Sequence, residues 1–259
     1  MNKVIIAYKN FAANRNISHI GLGVAAINNS KVLRANSVAT EVWPIVNAAG
    51  LRARLQCSPA SHVVISAPWI PSPELQALVN DFPDTTFAVN SHSNVGFLQA
   101  DANGVRLLRE GMEIETGAHN FRLAGNSRKF CQWVSDTYGA PCTYLPNLYF
   151  LDTVDRTRRP LWRGGTLRIG AFGATRPQKN FMSAAAAALE IAHQLKADLE
   201  LWVSAGRAEG GGEVVQRAVR AMYDGLLNAR VVESGWQSWP KFRKTVGNMH
   251  LLLQPSYTE

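Results

Sequence analysis

Short apolar, β-rich runs alternate with helically spaced apolar positions along nearly the whole chain. That alternation predicts parallel sheets with helices on both faces. In the first half, strands are expected at 4–8, 62–66, 86–90, 121–124 and 143–145, with a further strand at 42–46 that contains Pro44. A helix is expected from His19 to about Arg34, where Ile20, Val24, Ile27 and Leu33 fall near helical spacing. Others are expected over 72–80 and 104–115, and from a cap at Asn126 or Ser127 to Tyr138. The stretch 148–165 is rich in Asp, Arg, Pro and Gly with weak periodicity, and reads as a linker. Strands follow at 167–172, 199–204, 229–233 and 250–254, with helices at 180–196, 213–227 and 239–248.

The expected fold is therefore α/β, with two doubly wound Rossmann-like domains. They cover 1–150 and 165–259, and 151–164 forms the linker. Such folds bind ligands outside the carboxyl ends of their strands, so a ligand cleft is expected there.

Composition narrows the classes. At 259 residues, 46% apolar and 18% charged, the chain suits one large or two ordinary globular domains. It has no run approaching the ~20 apolar residues of a membrane span. The start, MNKVIIAYKN, has no cleavage pattern, so a cytoplasmic protein is expected. Cys57, Cys131 and Cys142 have neither C-x-x-C nor zinc-site spacing, and are expected to be reduced thiols.

The net charge of +8 suits an anionic partner, such as a nucleotide diphosphate or an acidic membrane surface. The basic residues are dispersed, and their densest cluster, Arg156, Arg158, Arg159 and Arg163, falls in the linker. No basic stripe with stacking aromatics appears, which speaks against nucleic acid.

The strongest chemical signal is FGATRPQKN, residues 172–180, between a strand and an Ala-rich helix. A helix N-terminus offers unpaired N–H groups and partial positive charge to phosphate. Arg176 and Lys179 add two cations, with Asn180 at the helix start. The loop has neither Walker spacing nor G-x-G-x-x-G, so a nicotinamide dehydrogenase is disfavoured. By spacing alone, a solvated surface loop is an equal reading. The second signal is LLLQPSYTE, in which a buried strand ends near Ser256 and Glu259 follows. A carboxylate in that position commonly grips a ribose.

Together, LRIGAFGATRPQKN, LELWVSAG and LLLQPSYTE resemble the donor-binding domain of retaining GT-B glycosyltransferases of the group 1 type. NSHSN places His92 just after a strand, where that family keeps a histidine beside the donor sugar. FRLAGNSRKFCQWVSDTYGAPCTYLPN resembles the family segment before the hinge. The resemblance implies a nucleotide-diphosphate sugar as co-substrate, an acceptor hydroxyl of unspecified kind, and retention of configuration.

It also implies residue roles. Lys179, Arg176, Asn180, Ser256 and Glu259 would hold the donor, Trp236 would line the base pocket, and His92 would orient the sugar. The family's arginine directly after the loop glycine is replaced by Ala174. Gly21 and Gly23 in SHIGLG stand in for the usual Gly-Gly pair after the first strand, as a loop for acceptor or phosphate. No D-x-D motif occurs, so no metal and no other cofactor is expected.

The alternatives are an inactive nucleotide-sugar-binding protein and an epimerase of the same fold. The four strands expected after 165 fall short of the about six of a full doubly wound half. The family motif's second glutamate is absent as well, so a C-terminally truncated chain with weak donor binding and little transfer is expected.

Overall fold

The computed structural model of the chain describes residues 3–10, 20–93, 95–99, 101–150 and 160–257. Its contacts divide into two compact units, 1–153 and 154–259. The expected helix start at His19, the expected role of Glu259, and the cluster at Arg156, Arg158 and Arg159 lie outside the described residues.

The first unit is built on a six-stranded sheet: β1 (Lys3–Lys9), β2 (Ala39–Ile45), β3 (His62–Ser66), β4 (Thr86–Ser91), β5 (Phe121–Gly125) and β6 (Thr143–Tyr144). Every pairing is parallel, in the order β2-β1-β3-β4-β5-β6. Its helices are α1 (Ile20–Ala35), α2 (Ala48–Cys57), α3 (Ser72–Asp81), α4 (Val95–Leu98), α5 (Ala102–Gly117) and α6 (Arg128–Tyr138).

One core joins Ile5, Val63, Ile65, Phe87 and Phe121 of the strands to Leu51, Leu55 and Leu78 of α2 and α3. A second joins Leu123 to Leu108 and Met112 of α5 and Phe130 and Val134 of α6. Helices on the sheet's two faces follow from strands whose buried runs need cover on both sides. Trp69 packs on the first core and Trp133 on the second.

β2 begins three residues earlier than expected and tolerates Pro44 because it is an edge strand. Its residues pair only with β1, Pro44 opposite Tyr8, so the missing N–H disrupts no second ladder. α2 is unforeseen. Asn47 Oδ1 accepts from Gly50 N at 2.9 Å and starts the helix, which buries only Ala48, Leu51 and Leu55.

The second unit carries β7 (Leu167–Ala171), β8 (Leu199–Ser204), β9 (Ala229–Ser234) and β10 (Leu251–Leu252), all parallel, in the order β10-β7-β8-β9. Its helices are α7 (Phe181–Leu195), α8 (Gly212–Tyr223) and α9 (Trp239–Gly247). The alanine run of α7 does more than favour helix. Ala184, Ala185, Ala188 and Ala192 are buried in the core, so the helix lies close to the strands, and the buried Tyr223 hydroxyl donates to Ala185 O at 3.0 Å. α8 stops short of the expected residue 227 because Gly225 takes φ +74°, a left-handed turn that ends the helix.

The cysteines differ in access. Cys57 is exposed, Cys131 buried and Cys142 half-buried, with burial and the neighbouring Cys131 thiol pushing the Cys142 thiol pKa up. Alkylation follows the thiolate. At pH 8, iodoacetamide should label Cys57 well before Cys131 or Cys142, as read by peptide mass mapping. Equal rates at all three would contradict this burial.

Candidate functional site

In an open parallel sheet the ligand crevice lies where neighbouring strands send their following loops to opposite faces. In the second unit that switch point falls between β7 and β10. The loop after β7 turns at Gly173, whose φ of +128° only glycine adopts readily. It then forms a short 3-10 turn, Pro177–Lys179, and enters α7 through Asn180.

Asn180 takes φ +53° and makes no side-chain cap bond to α7, so its side chain satisfies none of the helix's leading N–H groups. Lys179 is half-buried, and a Cβ on Gly173 would stand 3.9 Å from Lys179 Cε. On the other side of the switch point, Tyr257 N donates to Gln178 O at 3.0 Å, and the Ser256 hydroxyl accepts from Gln254 Nε2 at 3.2 Å. The β10 loop thus seats on the 3-10 turn. Arg176, Lys179, Asn180 and Ser256 fall in these two touching segments.

The loop after β8 joins them. Thr175 N donates to Arg207 O at 2.9 Å, and Glu209 N donates to Thr175 O at 2.8 Å. The buried Thr175 hydroxyl donates to Ser204 O at 3.1 Å. Arg176 Nη1 lies 3.5 Å from one Glu209 carboxylate oxygen, and Arg207 forms an ion pair with the other. A Cβ at Gly212 would meet Thr175 O at 2.0 Å, and one at Gly206 would meet Trp236 N at 2.5 Å. Trp236, 62% exposed, therefore projects from a β9 loop laid directly on the β8 loop.

Sequence reasoning did not foresee the ion pairs that Glu209 makes with Arg176 and Arg207. The signal was present: a strand end, two charges, then Gly210-Gly211-Gly212 opening a helix.

In the first unit, His92 follows β4 directly. Asn126 Nδ2 approaches His92 Nδ1 at 3.4 Å, which casts Nδ1 as acceptor and leaves the proton on Nε2. His92 Nε2 is buried without a partner. Burial holds the imidazole pKa down to about 4, so it is neutral at pH 7. Asn90, 2% exposed, donates from Nδ2 to Leu145 O at 3.1 Å, while its Oδ1 has no partner; nor has Asn147 Oδ1. One buried donor and two buried acceptors thus lack partners at the carboxyl ends of β4 and β6. Buried polar groups in folded proteins are ordinarily satisfied.

At this sheet's own switch point, between β1 and β3, Lys9 Nζ stands 5.8 Å over the Trp69 ring, and Trp69 Nε1 lacks a partner. Ala67 there takes φ +70°, unfavourable for a residue with a Cβ. Gly21 and Gly23 lie in the first turn of α1, after β1. A Cβ on Gly21 would meet nothing, whereas one on Gly23 would come within 3.1 Å of the Tyr8 ring. Gly23 therefore lets α1 pack against Tyr8.

Among the described residues, no three His, Cys, Asp or Glu side chains gather as a metal site, and no helix is long and apolar enough to cross a membrane.

No protein-family model and no curated protein sequence matches the chain. Solved structures do. An alpha-glucosyltransferase (AGT) in complex with UDP aligns over 99% of this chain and 74% of its own, at 10% identity and TM-score 0.63. Sucrose-phosphate synthase from Thermosynechococcus elongatus aligns over 98% and 76%, at 11% identity and TM-score 0.57. The lipopolysaccharide outer core galactosyltransferase WaaB, apo form, aligns over 98% and 74%, at 12% identity and TM-score 0.52. At such identities the likeness is one of fold. The chain has the α/β fold of GT-B glycosyltransferases, with two Rossmann-like parallel sheets.

Proposed function

We propose that the chain is a glycosyltransferase that moves a sugar from a nucleotide-diphosphate donor to an acceptor hydroxyl, with retention of configuration and without a metal. The observation that carries this reading is the gathering of Arg176, Lys179 and the uncapped start of α7 at the second unit's switch point, on a fold shared with a glucosyltransferase bound to UDP.

Breaking the anomeric C–O bond passes through an oxocarbenium-like state, and negative charge grows on the departing diphosphate. Cations and N–H groups fixed there beforehand stabilise that charge without reorganising. Lys179, Arg176 and Asn180 take this role. Ser256 and Glu259 hold the donor's ribose side, and Trp236 offers its exposed ring to the base. In the first unit, a neutral His92 donating from Nε2, with the free Asn90 and Asn147 carbonyls, suits hydroxyl groups rather than phosphate. This reading also places the protein in the cytoplasm, with contact to an anionic membrane if the acceptor is lipid-linked.

Lys179→Ala should weaken nucleoside diphosphate binding by about 1.5–3 kcal/mol, the worth of a hydrogen bond to a charged group. Calorimetry with UDP, ADP and GDP tests it. Failure of all three to bind the wild type would sink the donor reading, and equal affinity of wild type and variant would remove Lys179 from the site.

A further inference from the structure

We infer that Asn90, at the carboxyl end of β4, is a specificity-determining residue. Its side-chain oxygen accepts from one hydroxyl of a neutral sugar, and a sugar deoxygenated at that position is rejected. The identity of the ligand rests on the glycosyl-transfer reading above.

Asn90 is 2% exposed, and its amide is held in one orientation, because Nδ2 donates to Leu145 O at 3.1 Å. Turning the amide over would set two oxygens against each other. The bond passes over β5, where the residue opposite Asn90 is Ala124. A methyl group there lets the amide reach the strand beyond. The backbone is tied as well: Ala67 N donates to Asn90 O at 2.9 Å. Ala67 makes that bond from φ +70°, a strain of the kind kept at ligand sites, where the surroundings over-determine it.

Oδ1 therefore has a fixed place and no partner. Backbone donors around it are committed elsewhere. Asn126 N donates to Ser91 O at 3.1 Å, Leu145 N to Gly125 O at 2.9 Å, and Ser93 N to Ser91 Oγ at 3.3 Å. A buried acceptor left unpaired is costly, so this oxygen calls for a donor from outside the chain. Asn147 Oδ1 and His92 Nε2 are likewise buried without partners. An anion brings no proton to either amide oxygen, and an ammonium group accepts nothing from an imidazole N–H. Hydroxyl groups do both, which selects a neutral, hydroxyl-bearing ligand. Discrimination follows, because an analogue without the hydroxyl leaves the site's own buried atom unpaired.

Titration of the whole chain with D-glucose, D-galactose and D-mannose, followed by ligand-observed NMR, finds the sugar that binds. Its monodeoxy analogues then locate the hydroxyl. Wild type should bind one analogue at least about tenfold more weakly than the parent sugar. Asn90→Ala should weaken the parent to the level of that analogue, and leave the analogue within about twofold of its wild-type affinity. Asn90→Leu, of similar volume, serves if the alanine variant misfolds. Asn90→Asp keeps an oxygen on the same frame and should restore most of the discrimination.

The UDP-linked form of the same sugar identifies the source of the hydroxyl. If it displaces the free sugar and UDP does not, the hydroxyl is the donor's; if both bind together, it is the acceptor's. The assignment of Asn90 stands in either case. A purely structural asparagine would weaken the parent and every analogue alike on substitution. That result, or binding of none of the three sugars, overturns the assignment, and binding of UDP, ADP or GDP would still uphold the donor reading. Selective loss at one hydroxyl in a chain that binds none of those nucleotides would overturn the donor reading and leave Asn90 in place.

Discussion

Gly212→Ala should destabilise the second unit by about 2–3 kcal/mol, the scale of overpacking a site that has no room. The new methyl carbon would stand 2.0 Å from Thr175 O, a backbone atom that no rotamer change can clear. Either α8 or the β7 loop must move. Both movements pull on the hydrogen bonds from Thr175 N to Arg207 O and from Glu209 N to Thr175 O. The substitution should therefore weaken nucleoside diphosphate binding as well as stability. Gly247→Ala is the matched control, since a Cβ there meets nothing and the backbone is not left-handed. Urea unfolding and ligand titration of both variants would test this. Equal stability of the two would show that the loops separate without cost.

Acid should cost the first unit about 2–3 kcal/mol between neutral pH and pH 4 through His92 alone. Burial sets its folded-state pKa at about 4, below the ordinary 6.5. The unfolded chain therefore takes up the proton first as pH falls. The contribution is fully present above about pH 6.5 and is lost progressively towards pH 4. His92→Asn cannot titrate, so the stability gap between wild type and variant should narrow as pH drops. A gap of constant size from pH 7 to 4.5 would exclude the mechanism.

The second unit has a related weak point. His250 Nδ1 accepts from Arg168 N at 2.9 Å, while burial and the Arg168 charge lower its pKa. Protonation removes that acceptor and loosens β10 from β7.

Most strands were legible because each is a short apolar run closed by turn residues, as in His62–Ser66 and Leu199–Ser204. α2 was not, because Gly50, Arg52 and Arg54 interrupt its three buried positions and leave almost no periodic signal. β2 was misplaced by three residues at its start because Thr40 and Glu41 do not read as apolar, although Thr40 is buried.

The switch-point loop was legible for a local reason: the glycine, the two cations and the helix start are contiguous in sequence. The meeting of this loop with the Arg207–Glu209 loop was not, because it depends on Thr175 pairing with Ala208 across two loops. The position of His92 directly after β4 was readable from the apolar run that precedes it. The unpartnered oxygens of Asn90 and Asn147 become visible only when the strands are side by side.

The two strand orders also imply different histories for the chain as it leaves the ribosome. In the first unit, β1 gains both its neighbours, β2 and β3, before β4 has been made. Its centre can therefore close early and grow outward in one direction. In the second unit, β7 pairs with β8 soon after synthesis, yet its other edge stays open until Leu251 and Leu252 arrive to face Ile169 and Gly170. Contacts so distant in sequence form slowly, because loop closure comes before any reward from pairing. Until then β7 offers an unpaired parallel edge, the kind of surface to which a stray strand attaches. The nascent second unit is thus where a chaperone would be needed most, and the interval lasts as long as the ribosome takes to reach residue 252.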